Sequence, residues 1–283
     1  MLDGSSLTER NIAPPASGMT ALAAGTGPVL VLVHGALGDL RQWESFAGFL
    51  PLRTVISLSR RFHWPNPAAT PDSNYSVDSH RDDLLALLET LSGPVDLVGH
   101  SYGALVVLAA AQIEPRRVRS LVLLEPPIGG LLPPSPELDA EHASRGVMLA
   151  SVRANVATGR HEDAASALAD WVQESAGGIS SLSADVRQRL LDNAMTVGPT
   201  YAVAPPVIDS KQLGELTMPV LIVNGERTRT FYRRAAEAAA ACIAHAQLCL
   251  IADAGHMLIV EQPEATASRV RVFLHGVDAA SRV

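Results

Sequence analysis

Short polar stops punctuate the apolar runs of this chain, and several carry side chains that can do chemistry. His34-Gly35-Ala36 follows the first run, Ser101 the third, Glu125 the fourth, Glu226 the fifth and His256 the last. Ser101 stands out. It sits in V-D-L-V-G-H-S-Y-G-A, Val95 to Ala104, where two glycines flank it at the end of a buried stretch. Glycine weakens strands and helices alike, so the pair suggests a backbone forced through an unusual turn. A serine hydroxyl is a poor nucleophile at neutral pH and needs an adjacent base, which makes a histidine the residue to look for. The alternative is a purely structural turn. Cys242 and Cys249 are the only cysteines and have no C-x-x-C spacing, so they read as buried thiols and not as a zinc site or a disulfide. No metal and no cofactor are expected.

The runs that must position these residues read as strands. Pro28–His34, Thr54–Leu58, Val95–Val98, Val118–Leu124, Val220–Val223 and Leu248–Ile251 are short, continuous and rich in valine, leucine and isoleucine. Such runs suit a parallel sheet covered on both faces. Between them, Val77–Leu91, Tyr102–Ile113, Phe231–Ala244 and Pro263–Phe273 have helical spacing. Alternating strands and helices imply crossover units, hence an α/β fold with a mostly parallel, doubly wound sheet. The alternation breaks between Pro126 and Met218, where Glu141–Val156, His161–Glu174 and Ala184–Met195 read as helices with no strand between them. The expected division is a core of residues 1–126 and 217–283, with 127–216 as a helical cap inserted before the last two strands. Residues 1–18, with Pro14-Pro15, read as a flexible leader or a poorly specified edge strand.

In a doubly wound sheet, ligands bind beyond the carboxyl ends of the strands, where these polar stops converge. Here the chain resembles the α/β-hydrolase superfamily. G-H-S-Y-G looks like its nucleophile elbow, V-H-G-A like its oxyanion loop and A-G-H-M like its histidine loop, in the family's order from about Gly27 to Phe273. The resemblance implies Ser101 as nucleophile, His256 as base, and the backbone N–H groups of Ala36 and Tyr102 as oxyanion hole. His100 and His34 are expected to pack or cap locally. His80, His142, His161, His245 and His275 are expected to face solvent.

The acid departs from the commonest family pattern. That pattern sets an aspartate three residues after the glycine closing the fifth run, and here Gly225 is followed at that spacing by Thr228. Glu226 and Glu125 are the available carboxylates. Some branches of the superfamily, zearalenone-type lactonases among them, carry the acid on the earlier strand, so Glu125 is preferred. Glu226 is then a loop-ordering residue.

The serine excludes the aspartate-nucleophile branches and implies acyl chemistry. The expected function is a serine esterase or lactonase acting on a small-molecule ester. Carbon–carbon bond hydrolysis, perhydrolysis, cofactor-free oxygenation and a small-molecule receptor with a retained triad are the alternatives. His63 and Trp64, in R-R-F-H-W-P-N-P, and Trp171 and Met148, on the inserted helices, are candidate pocket residues. The net charge of -7 argues against a nucleic-acid or anionic-membrane partner. The first twelve residues carry no long apolar run, and no window reaches the ~18 apolar residues of a membrane span. A soluble, cytoplasmic protein is expected, with a homodimer left open.

Overall fold

A computed structural model describes residues 10–11, 18–70, 73–174, 178–204 and 206–281. Its centre is one sheet of strands β1 (Arg10–Asn11), β2 (Thr20–Ala24), β3 (Val29–Val33), β4 (Thr54–Ser59), β5 (Val95–His100), β6 (Val118–Leu124), β7 (Val220–Gly225) and β8 (Ala246–Ile251). The order across the sheet is β1-β2-β4-β3-β5-β6-β7-β8. From β4 to β8 every pairing is parallel, while β1 and β2 join antiparallel at one edge. Alternate residues go to opposite faces, as the two-residue period of a strand requires. Val31, Val33 and Leu97 pack under the helices 77–90, 102–113 and 230–242. Leu30, Leu32 and Val98 face Trp43, Phe46 and the helix 263–280. The strands next to Ser101 are therefore buried on both sides and rigid.

The parallel strands and their helices lie where the apolar runs predicted them. β2 was not predicted, because T-A-L-A-A is poor in β-branched residues. It forms by lying against β4, with Ala21 opposite Leu58. Pro14-Pro15 lies outside the described residues. Cys242 and Cys249 are free and only half-buried, because they sit near the β8 edge, where Leu248 and Leu250 are also exposed.

Between β6 and β7 the described chain holds only helical elements, Pro136–Ala157, His161–Gln173, Ala184–Asp192 and shorter turns up to Gly214. Ser135 caps the first through a hydrogen bond from the Leu138 N–H, and Pro136 opens it. These helices have a small core of their own around Met148, Val152, Leu168 and Trp171. Arg229, just past β7, ties them to the sheet through Glu141 at 2.9 Å, Glu174 at 3.2 Å and the Trp171 carbonyl at 2.9 Å. No helix among the described residues is long and apolar enough to cross a membrane.

Candidate active site

Ser101 follows β5 directly, with φ 51° and ψ −119°. This left-handed φ is strained for a residue with a side chain and persists only where its surroundings impose it. The two glycines are what permit it. A Cβ on Gly99 would come within 2.4 Å of the Gly103 carbonyl oxygen, and one on Gly103 within 2.2 Å of the Val33 carbonyl oxygen. The turn therefore lifts Ser101 out of the sheet while β5, β3 and the helix 102–113 close beneath it.

The His256 loop after β8 comes back over this elbow. Ser101 Oγ lies 3.0 Å from His256 Nε2, and His256 Nδ1 lies 3.1 Å from Glu125 Oε2. The carboxylate acceptor assigns the proton to Nδ1, leaving Nε2 free to accept from the serine. Burial pushes the imidazole down to about 3, so the ring is neutral at rest.

Glu125 ends β6 in the same strained region, with φ 52°. It is fully buried. Its Oε1 accepts from the Gly225 N–H at 2.6 Å, and its Oε2 from the Thr228 hydroxyl at 2.6 Å. Burial pushes this carboxyl up to about 8, and the Thr228 and Gly225 donors pull against that rise. Thr228 thus serves the carboxylate from the position where the sequence lacked one. Glu226 is exposed and accepts the Asp253 N–H at 3.3 Å, as a loop-ordering residue would.

Ala36 and Tyr102 both line the cavity beside Ser101. Tyr102 is the first residue of its helix, so its N–H has no intrahelical acceptor. The loop bearing Ala36 is held from beneath. The buried Arg60 donates to the Gly35 carbonyl at 2.9 Å, and its own backbone N–H donates to His34 Nε2 at 3.0 Å. His63 belongs to this support and does not line the cavity. Fully buried, it donates from Nδ1 to the Gly38 carbonyl at 2.8 Å and accepts the Tyr75 hydroxyl at 3.0 Å.

Two other pocket candidates also lie elsewhere. Trp64 is 41% exposed, with the Arg41 guanidinium 3.7 Å above its ring and its backbone N–H donating to Asn193. Met148 is spent inside the core of the inserted helices. Trp171 does line the cavity, its Nε1–H donating to Ser144 at 3.1 Å. His100 does more than pack locally. Gln42 donates to its Nδ1 at 3.1 Å, and its Nε2–H reaches across to the His256 carbonyl at 2.9 Å, joining elbow to histidine loop. His80 is buried and not solvent-facing, enclosed by the rings of His63, Tyr75 and Tyr102. His142 is exposed at the cavity rim, and His245 and His275 are exposed.

The cavity measures about 330 Å³ and opens between the sheet and the inserted helices. A smaller one of about 60 Å³, bounded by Leu168, Leu190 and Met257, lies beside it and also reaches Ser101 and His256. Residues that the sequence reading missed frame both. The Tyr232 ring lies 4.2 Å from that of His256, and Tyr201 joins it on the other side. Their one signal, aromatic residues on a helix of the insertion and on the helix after β7, does not separate pocket from core. Among the described residues, no group of three or more histidine, cysteine, aspartate or glutamate side chains could hold a metal ion.

The fold is that of a known family. The model described as alpha/beta hydrolase fold matches residues 28–263, and the chain belongs to that family. Lipase LipV of Mycobacterium tuberculosis is 35% identical over 105 residues, 36% of this chain and 39% of that protein. The first curated relatives are matched over less than two fifths of their length. A longer match, 27% identical over 264 residues, covers 87% of this chain and 93% of the 2-succinyl-6-hydroxy-2,4-cyclohexadiene-1-carboxylate synthase of Serratia proteamaculans. Among solved structures, a putative lipase from Acinetobacter baumannii superposes with a TM-score of 0.73 at 19% identity, over 97% of this chain and 93% of that one. At that identity the likeness is one of fold.

Proposed function

We propose that this protein is a serine hydrolase of carboxylic esters or lactones, working through an acyl-enzyme on Ser101. The observation that carries the reading is the unbroken line from Ser101 Oγ through His256 to Glu125, at 3.0 and 3.1 Å. In this reading Ser101 Oγ attacks the carbonyl carbon while its proton passes to His256 Nε2. Glu125, accepting from Nδ1, steadies the imidazolium that forms. The N–H groups of Ala36 and Tyr102 hold the developing oxyanion, each such donor contributing about 3 kcal/mol toward the transition state. Collapse expels the alcohol, which takes the proton from His256. Water then attacks the acyl-enzyme, giving its proton to the same nitrogen, and the acid leaves as Ser101 is reprotonated. A lactone follows the same path, its alcohol remaining attached to the acyl chain.

Residues 127–216 serve as a lid in this reading, since their described helices roof the cavity, held to the core by side-chain ties such as Glu141–Arg229, Asp192–Arg41 and Asn193–Asp39. Turnover of p-nitrophenyl acetate and butyrate tests the function. Repeated turnover, lost by at least ~10³ in kcat in Ser101→Ala together with labelling by a fluorophosphonate, is the expected result. Full activity in that variant would move the chemistry elsewhere, and a single acylation without turnover would favour a receptor.

A further inference from the structure

The larger cavity has an unusual charge balance for an acidic protein. Its described lining includes Arg145 and His142 but no aspartate or glutamate. Arg145 lies on the helix 136–157, four residues after Glu141, the spacing at which a helix pairs opposite charges. That pair does not form. Glu141 is turned to Arg229 at 2.9 Å, which also takes Glu174. Arg145 forms no ion pair and no hydrogen bond with any described residue, and its guanidinium lies 6.0 Å from the centre of the Phe231 ring.

Two further donors sit beside it. The guanidinium is within electrostatic reach of Tyr201 and Tyr232, and both rings line the cavity. Burial pushes the Tyr201 hydroxyl up to about 12 and holds that of Tyr232 well above its ordinary value, so both keep their protons. Neither hydroxyl has a hydrogen-bond partner among the described residues. Tyr232 in turn lies against the His256 ring. A cation and two phenolic donors without partners therefore converge on a cavity that contains the serine. A cation in a partly dry pocket favours an anion, and a planar guanidinium suits a carboxylate best.

We propose that Arg145, with the hydroxyls of Tyr201 and Tyr232, forms a carboxylate-binding end of this cavity, so that the substrate is an ester or lactone bearing a free carboxylate. The proposal rests on the hydrolase reading for its reaction but not for its binding site. Ethyl esters of one chain length test it, as monoethyl adipate (anionic), ethyl hexanoate (neutral) and ethyl 6-aminohexanoate (cationic). 4-Acetoxybutanoate against pentyl acetate asks the same question of the alcohol side. The expected preference for the anion is ~10- to 100-fold in kcat/KM, carried by KM, the range of one charge-assisted contact.

Arg145→Met should erase that preference, Arg145→Lys should keep part of it, and Arg145→Glu should move it toward the amine. Arg153→Met, on an exposed position of the same helix, should leave it. Thermal melts check that each variant folds. Turnover of ethyl hexanoate with no preference for the anion would overturn the carboxylate site and leave the hydrolase standing. If no ester is turned over, the hydrolase reading has failed. Calorimetry with adipate then decides the site alone: binding to Ser101→Ala that is lost in Ser101→Ala/Arg145→Met supports it, and absent or unchanged binding overturns it.

Discussion

Thr228→Val removes one hydroxyl and nearly nothing else, and the structure fixes what should follow. The lost group donates at 2.6 Å to Glu125 Oε2, the same oxygen that faces His256 Nδ1. A hydrogen bond to a charged group is worth about 1.5–3 kcal/mol, and Glu125 has no water to replace it. The bond favours the ionised carboxyl, so its loss raises a value already lifted to about 8. At 1.36 kcal/mol per unit the rise is about 1–2 units. The proposed triad needs the carboxylate to accept from Nδ1, so the acidic limb of kcat/KM should move up by that amount. Below the limb the loss is ~10- to 100-fold, and raising the pH recovers much of it. Thr228→Ser should restore the wild-type profile, whereas Glu125→Gln should lose roughly 10²- to 10⁴-fold in kcat with no recovery. The assay is kcat/KM for p-nitrophenyl butyrate from pH 5.5 to 9.5, with melts for every variant. An unmoved limb in Thr228→Val would refute the reasoning, as would Glu226→Gln proving as damaging as Glu125→Gln.

Burial holds His34, His63, His80, His100 and His256 below the ordinary 6.5, the last two at about 3. A depressed folded value means stability present above pH 6.5 and lost as the unfolded chain takes up protons below it. Glu125, raised from 4.5, works in the opposite direction. From pH 7 to 5.5 the five histidines together outweigh Glu125, so stability and Tm should fall, and an unchanged Tm would count against five neutral histidines. Amide exchange should be faster in the helices 136–157 and 161–173 than in β3, β5 and β6, and should slow there when a phosphonate occupies Ser101. Equal protection throughout would remove the lid.

The parallel sheet was legible because strands buried on both faces are mostly apolar, in short valine-, leucine- and isoleucine-rich runs alternating with helical spacing. Two buried polar residues among them, Asp96 and Ser120, hydrogen-bond each other. The serine elbow was legible through Gly99 and Gly103, since a backbone that close to Val33 and Gly103 carbonyls admits no other residue. Strand β2 was not, because its place in the sheet comes from backbone pairing with β1 and β4 and not from a β-branched run of its own. Pocket composition was harder still. His63, Trp64 and Met148 carry the residue types of a binding site, yet their directions are set by partners remote in sequence: Gly38, Asn193 and the core of the inserted helices. Arg145 had a ready local partner in Glu141, and only the competing Arg229, from beyond β7, leaves it free.

In the proposed triad, the position of Glu125 places the acid on β6, next to β7. β6 and β7 are adjacent and parallel, so their carboxyl ends open onto the same space under the His256 loop. The ladder runs one step past each end, with the Ser101 N–H donating to the Leu124 carbonyl at 2.8 Å and the Glu125 N–H to that of Val223 at 2.9 Å. Serine and glutamate therefore occupy equivalent stations on neighbouring strands, and both adopt the left-handed φ that breaks the strand there. Glutamate's extra methylene lets a carboxyl on β6 reach both the imidazole and the loop after β7. That loop, having no carboxylate at Thr228, presents instead a hydroxyl and the Gly225 N–H, the donors a buried carboxylate requires if it is to ionise at all. Moving the acid by one strand thus depends on what the vacated position becomes, and a second carboxylate there would face Glu125 across 2.6 Å with no cation between them.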